Sequence, residues 1–342
     1  KPPWSGLSTC IYRILGMMPD CRKTRAATAR EEGAVLLLVI LILTLISVLV
    51  LSWAQEWRTE LKLASNFGEA HKSQRLAEAG IYYALGKLLT AKKAEGGGMN
   101  PVAPPRDSGP LWQGDQQLHE LELPDGLVQV RIADEGGKIN LNRASEPILR
   151  NFFTALGLPE PQVRIMVDSI QDWRTPGSYP RLYGAKSAYY LSLNPPYVAK
   201  NGKFETVEEL AWVRGFEASP LIPHLSRWLT VHATESGINV NTASLEVLLA
   251  MGFSREAALN IIDTRQAMPW RNFQEMPQGG ANQMLGQDAQ ISFRSSYFFT
   301  ITATGMVKKN SSRQTIRATV RVDPTQRRVP WAIISWYSGF PG

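Results

Sequence analysis

Few side chains in this sequence have the types and spacing that chemistry needs. Four histidines stand at His71, His119, His224 and His232, and no Ser-His-Asp order, glycine-rich phosphate loop or zinc-ligand spacing accompanies them. Glu205, Glu208 and Glu209 gather at one predicted helix start. Acids there favour the positive end of the helix dipole, so the cluster suits capping better than acid–base work. The two cysteines, Cys10 and Cys21, both lie far upstream, which leaves no disulfide for the rest of the chain. An enzyme is not expected, and no cofactor is expected on these grounds.

The clearest pattern is an internal repeat. Lys138-Ile139-Asn140-Leu141-Asn142-Arg143-Ala144-Ser145 matches Gly237-Ile238-Asn239-Val240-Asn241-Thr242-Ala243-Ser244, and each copy runs into an apolar helix. Ser145 and Ser244 are natural N-caps. Asn142 and Asn241 have side chains able to hold the preceding turn. The second copy, continuing to Gln266, resembles a helix-hairpin-helix unit, as do residues 204–216. In DNA-binding units of that kind a Gly-x-Gly hairpin aims backbone N–H groups at a phosphate. Here the hairpins are Gly157-Leu158-Pro159 and Gly252-Phe253-Ser254: both lack the second glycine, and proline has no N–H. No nucleic-acid site is expected.

These segments need a scaffold. Residues 118–123 and 127–133 alternate apolar and polar around Pro124-Asp125-Gly126, and residues 297–307 and 314–322 do the same around Lys308-Lys309-Asn310-Ser311-Ser312. Both are hairpin signatures. One sheet carrying a large helical insertion explains two hairpins that flank a helix-rich middle. The tail holds Trp331, Trp336 and Tyr337 and is apolar enough to pack either on that sheet or on a partner. The 96–106 stretch, rich in glycine and proline, is a linker. Length predicts about two domains, and a net charge of +7 dispersed over 342 residues points only weakly to nucleic acid.

Residues 34–54 carry no charge, and their polar members are Thr44, Ser47 and Ser52. About 20 apolar residues match the hydrocarbon thickness of a bilayer. Arg13, Arg22, Lys23, Arg25 and Arg30 precede the run, which holds that end in the cytoplasm and translocates the C-terminal body. Helical spacing continues through Trp57, Leu61, Ala64 and Phe67, and no proline interrupts residues 34–93, so one helix of about 60 residues is predicted. The simplest use of such a segment is an uncleaved signal anchor.

A basic leader ending at Gly33, an apolar run starting at Ala34 and an amphipathic continuation resemble the type IV pilin-like superfamily. The resemblance implies cleavage by a prepilin peptidase between Gly33 and Ala34. Most members carry glutamate at the fifth residue after the cut, where this chain has Leu38. Its absence marks the K-type minor pseudopilins of type II secretion. Residues 133–142, Asp172-Trp173, Gly184-Ala185 with Tyr189-Tyr190, residues 204–215 and residues 238–244 resemble that family in order and spacing.

The resemblance implies an α+β pseudopilin fold, a long N-terminal helix on an antiparallel sheet with a large all-α insertion. The expected divisions are a cytoplasmic leader at 1–33, the helix at 34–95 with its membrane span at 34–54, a sheet core from 96–139 plus 291–323, the insertion at 140–290 and a tail at 324–342. It implies a single-pass protein of the bacterial inner membrane at the tip of the pseudopilus. The implied partners are I-type and J-type minor pseudopilins, the prepilin peptidase, the inner-membrane assembly platform and the lipid bilayer. The alternative is a type IV pilus or DNA-uptake subunit whose repeats bind DNA. K-type proteins also bind calcium in the insertion. This chain keeps Asp172, but Thr175 and Gly177 stand where acids are expected and Lys186 where a glutamate is. An ammonium cannot ligate calcium, so the site is expected to be lost, with Lys186 replacing the cation beside Asp172.

Overall fold

A computed structural model describes residues 24–96, 112–217, 219–232, 237–275, 291–308, 312–326 and 328–340. Cys10, Cys21, most of the leader and most of the 96–106 linker lie outside them.

Helix α1 runs from Thr24–Gly96. The chain divides into two units, Lys1–Phe67 and Gly68–Gly342. In the first, the apolar side chains from Val35 to Leu51 are exposed, as are Trp57, Leu61 and Phe67. By length and composition this helix is able to cross a membrane.

In the second unit the last turns of α1 cover a five-stranded antiparallel sheet. Its strands are β1 (Asp115–Leu123), β2 (Gly126–Asp134), β7 (Phe298–Val307), β8 (Arg313–Val322) and β9 (Trp331–Phe340), in spatial order β1-β2-β7-β8-β9. Alternation puts Val128, Val130, Ile132, Phe299, Ile301, Ala303, Ile316, Ala318 and Val320 on one face, against Leu76, Ala77, Ile81, Ala84, Leu85 and Leu88. Each large side chain buried this way contributes about 1.5–3 kcal/mol. The helix crosses the sheet so closely at Gly305 that a Cβ there would lie 2.1 Å from the Ser73 carbonyl oxygen. Strand β9 pairs antiparallel with β8, and Trp331, Ile333 and Trp336 pack against the same core. The sequence alone leaves that segment between sheet and partner; the structure puts it on the sheet.

Everything between β2 and β7 is inserted. The first part holds β3 (Ile139–Asn140), α2 (Glu146–Ala155), α3 (Glu160–Arg174), α4 (Ser187–Leu191), α5 (Ile222–Leu225) and β4 (Leu229–Thr230). The second holds β5 (Ile238–Asn239), α6 (Leu245–Ala250), α7 (Arg255–Ala267) and β6 (Ile291–Ser292). β3 pairs parallel with β4, and β5 with β6. Both parts share one core that includes Leu149, Phe152, Phe153, Met166, Tyr190, Phe216 and Leu248.

Candidate functional site

The two copies of the repeat share their asparagine turn, asparagine clamp and arginine closure. In each, the first asparagine makes the turn: Asn140 Oδ1 accepts from Asn142 N at 2.9 Å, and Asn239 Oδ1 from Asn241 N at 3.0 Å. The second asparagine clamps a distant main chain. Asn142 accepts from Phe204 N at 2.7 Å and donates to Phe204 O at 2.9 Å. Asn241 does the same to Trp270, at 2.8 Å each way. The sequence points to Asn142 and Asn241 as holding the turn; the structure gives it to the asparagines two residues earlier. An Asx-turn needs its acceptor two residues before the N–H it holds, and Asn140 and Asn239 have that offset.

An arginine at the end of the second helix closes each copy. Arg174 donates to the carbonyls of Leu141 and Ala144, and Arg265 to those of Val240 and Ala243. Burial, with nearby Arg181 adding to it, pulls the Arg174 guanidinium down to about 10. The sequence reading missed both arginines, although each follows its repeat at a corresponding place, in Asp172-Trp173-Arg174 and Asp263-Thr264-Arg265. Ser244 Oγ accepts from Val247 N at 3.4 Å, whereas Ser145 holds the N-cap position without a side-chain capping bond.

The helix hairpins turn several of their N–H groups inward. Gly157 and Gly252 have φ of +82° and +96°. Gly157 N donates to Thr154 O and Leu158 N to Phe153 O; Gly252 N donates to Leu249 O and Phe253 N to Leu248 O. These are Schellman caps, and they spend on the preceding helix the N–H groups that a phosphate would need. Proline fills Pro159 in one copy, and the Ser254 hydroxyl accepts from Ala257 N in the other.

Asp134, at the end of β2, ties the insertion to the sheet. Its Oδ1 accepts from Gly136 N, Ser296 N and Ser296 Oγ at 2.9, 3.1 and 2.6 Å, and its Oδ2 from Asn239 Nδ2 and Thr242 Oγ1 at 2.9 and 3.2 Å. Beside it, buried Glu135 binds Lys138 Nζ at 2.5 Å and Thr300 Oγ1 at 2.7 Å. Burial pushes the Glu135 carboxyl up, but the Lys138 charge and hydrogen bonds from Lys138, Thr230 and Thr300 outweigh it and hold it below the usual glutamate value. Asp134 falls in the family-like 133–142 stretch, but its role as a joint does not show in one dimension, because its partners lie up to 162 residues away.

The third arrangement surrounds Lys186. Asp172 and Trp173 end α3 and are buried, and Thr175 is its C-cap. Gly177 is exposed in the following loop, at φ +137°. Lys186, only 4% exposed, is the N-cap of α4. Its ammonium donates to Asp172 O at 2.5 Å, Thr175 O at 2.6 Å and Asn201 Oδ1 at 3.0 Å. The expected pairing with Asp172 is therefore made through the main chain. The Asp172 carboxylate instead accepts from Arg181 N at 2.9 Å, and Asp168 from Tyr183 N at 3.0 Å. Burial raises the Asp172 pKa, against the Arg181 N–H and the Lys186 charge. Burial lowers that of Lys186, against the charge of Asp172. A Cβ at Gly184 would lie 2.0 Å from Asp172 Oδ2, so a larger residue there would displace that carboxylate. Calcium needs six to eight oxygens, carboxylates among them, at about 2.3–2.6 Å. Here three oxygens already hold an ammonium and both nearby carboxylates hold main-chain N–H groups, so the residues present do not fit the ion.

The remaining candidates stay apart. Gly33, Ala34 and Leu38 lie on exposed α1 backbone. The histidines sit on four separate segments: α1, β1, α5 and the residues after β4. Glu209 accepts from Glu205 N and Thr206 N and pairs with Lys200 at 2.9 Å, which is capping. Among the described residues no group of three or more His, Cys, Asp or Glu side chains could hold a metal ion.

Two sequence models of one family, "Type II secretion system (T2SS), protein K", match residues 127–234 and 238–295. Type II secretion system protein K of Pseudomonas aeruginosa is 29% identical over 69% of this chain and 72% of its own. That of Aeromonas hydrophila is 23% identical over 82% and 88%. The chain belongs to the type II secretion system protein K family. The break between the two matched segments falls between the two repeats, so each segment holds one copy of the repeat and its helices. The fold also matches a chain of the GspK-GspI-GspJ complex from the enterotoxigenic Escherichia coli type 2 secretion system. That match has a TM-score of 0.52 at 16% identity and covers 84% of this chain and all of that one.

Proposed function

We infer that this protein is a structural minor pseudopilin. It stands at the tip of the type II secretion pseudopilus, helps start the fibre and so supports export across the outer membrane. Its partners are the I-type and J-type minor pseudopilins, and it performs no catalysis. The observation that carries this reading is α1. One helix of a protein K family chain exposes an uncharged apolar run in its first unit and packs its last turns on an antiparallel sheet in the second. The Escherichia coli protein of like fold is described in complex with GspI and GspJ.

On this reading the prepilin peptidase cuts between Gly33 and Ala34. The apolar run then holds the subunit in the inner membrane, N-terminus cytoplasmic and body periplasmic, until the assembly platform extracts it. Leu38 replaces the glutamate that would pair with a neighbour's terminal amine, which suits a subunit with none beyond it. A buried carboxylate in lipid costs about 2.5–3.5 kcal/mol, so its loss is favourable once it has no partner. Trp57, Leu61 and Phe67 supply an exposed helical stripe for side-to-side contact.

Co-expression with I-type and J-type subunits followed by affinity purification of this chain tests the reading. Recovery of all three together is expected, and charge on the stripe (Leu61→Asp with Phe67→Asp) should release them. Recovery of this chain alone would overturn it.

A further inference from the structure

We propose that Lys186 is a built-in cation, holding the loop after α3 against the 198–202 segment so that this corner of the insertion needs no divalent metal. Three acceptors converge on one nitrogen: two main-chain carbonyls from the end of α3 and the amide oxygen of Asn201. A neutral amine has two N–H groups, so filling three acceptors takes the ammonium. The oxygens belong to segments distant in sequence, which is the geometry in which a hard cation cross-links loops. Asn201 is one of the two described non-glycine residues at positive φ, at 51°. Side chains other than glycine seldom adopt that backbone, and here it accompanies an amide oxygen delivered to Lys186.

The surrounding bonds make the loop a closed unit around that charge. Arg181 N and Tyr183 N are held by Asp172 and Asp168, and Gly184 N donates to Arg181 O at 3.2 Å. Gly202 N returns to Trp173 O at 3.1 Å, locking the second segment to α3. The stem of Lys186 is buried with its head, so the ammonium cannot be exchanged for an ion from solution without removing the side chain. The chain thus carries in one residue the positive charge that a metal-organised loop takes from solvent.

The test is hydrogen exchange and thermal unfolding of the full chain in detergent, with calcium and with EDTA. The wild type should show the same melting temperature and the same exchange across residues 175–186 and 198–203 in both. Lys186→Met, which keeps the stem and removes the charge, should lower the melting temperature by several degrees and speed exchange in those two segments, with no recovery on adding calcium. Asn201→Ala removes one acceptor and leaves the core untouched. It should speed exchange in the same segments with the rest of the insertion unchanged, and keeps the test open should Lys186→Met fail to fold. A wild type that calcium stabilises by several degrees, or an Asn201→Ala protein with unchanged exchange there, would overturn the proposal.

Discussion

Asp134→Asn removes one negative charge and turns one acceptor oxygen into a donor. With its oxygen in the Oδ1 position, the asparagine still receives Gly136 N, Ser296 N and Ser296 Oγ, but its NH2 now faces the NH2 of Asn239. Thr242 is able to turn its hydroxyl and accept; Asn239 is not. The buried Asn239 donor is left unmet, which costs about 1–3 kcal/mol, and the other bonds lose their charge-assisted part. A total near 3 kcal/mol follows, and Asp134→Ala, which strands Gly136 N, Ser296 N and Asn239 Nδ2, should cost about 4. Urea unfolding of the detergent-solubilised chain, followed by tryptophan fluorescence, measures this, with the exposed Glu122→Gln as a control within about 0.5 kcal/mol of wild type. An Asp134→Asn protein as stable as that control would refute the assignment of Asp134 as the joint between sheet and insertion.

Gly305→Ala should destabilise by about 1–3 kcal/mol in the same assay, because its Cβ meets the Ser73 carbonyl and the Ala77 amide nitrogen, both main-chain atoms of α1. Arg174→Met and Arg265→Met should cost similar amounts, about 1–3 kcal/mol each, since each strands the same pair of carbonyls in its own repeat; a cost confined to one would break the equivalence. Glu135 ionises below its usual value of 4.5, so it contributes stability above that pH and loses it as the pH falls through the lowered value. Unfolding measured from pH 6 down to pH 3 should therefore show a loss that Glu135→Gln flattens, and an unchanged slope would contradict the depressed ionisation.

Both hairpins, the long helix and the repeat were legible because each is a local pattern. Period-two alternation around Pro124-Asp125-Gly126 yields β1 and β2 without any distant contact, and the proline-free apolar run yields α1. The tail was not legible in the same way. Trp331 to Phe340 has the composition of a strand, but whether it meets β8 or another chain depends on a register no local rule supplies. The asparagine roles failed for a related reason: a turn is local and could be sought, whereas the Asn142 clamp on Phe204 spans 62 residues. Lys186 was half legible. Its charge argued against a metal from the sequence alone, but the acceptors it found, two carbonyls and Asn201, are set by the path of the backbone.

The central claim is that this chain is trimmed at its cytoplasmic end and then serves as a fibre subunit. The intact mass and N-terminal sequence of the protein, purified from membranes of cells that hold the prepilin peptidase, test it most directly. The account predicts a mature chain beginning at Ala34, and a Gly33→Leu protein that stays uncut. A wild-type chain that keeps its leader in such cells would contradict it.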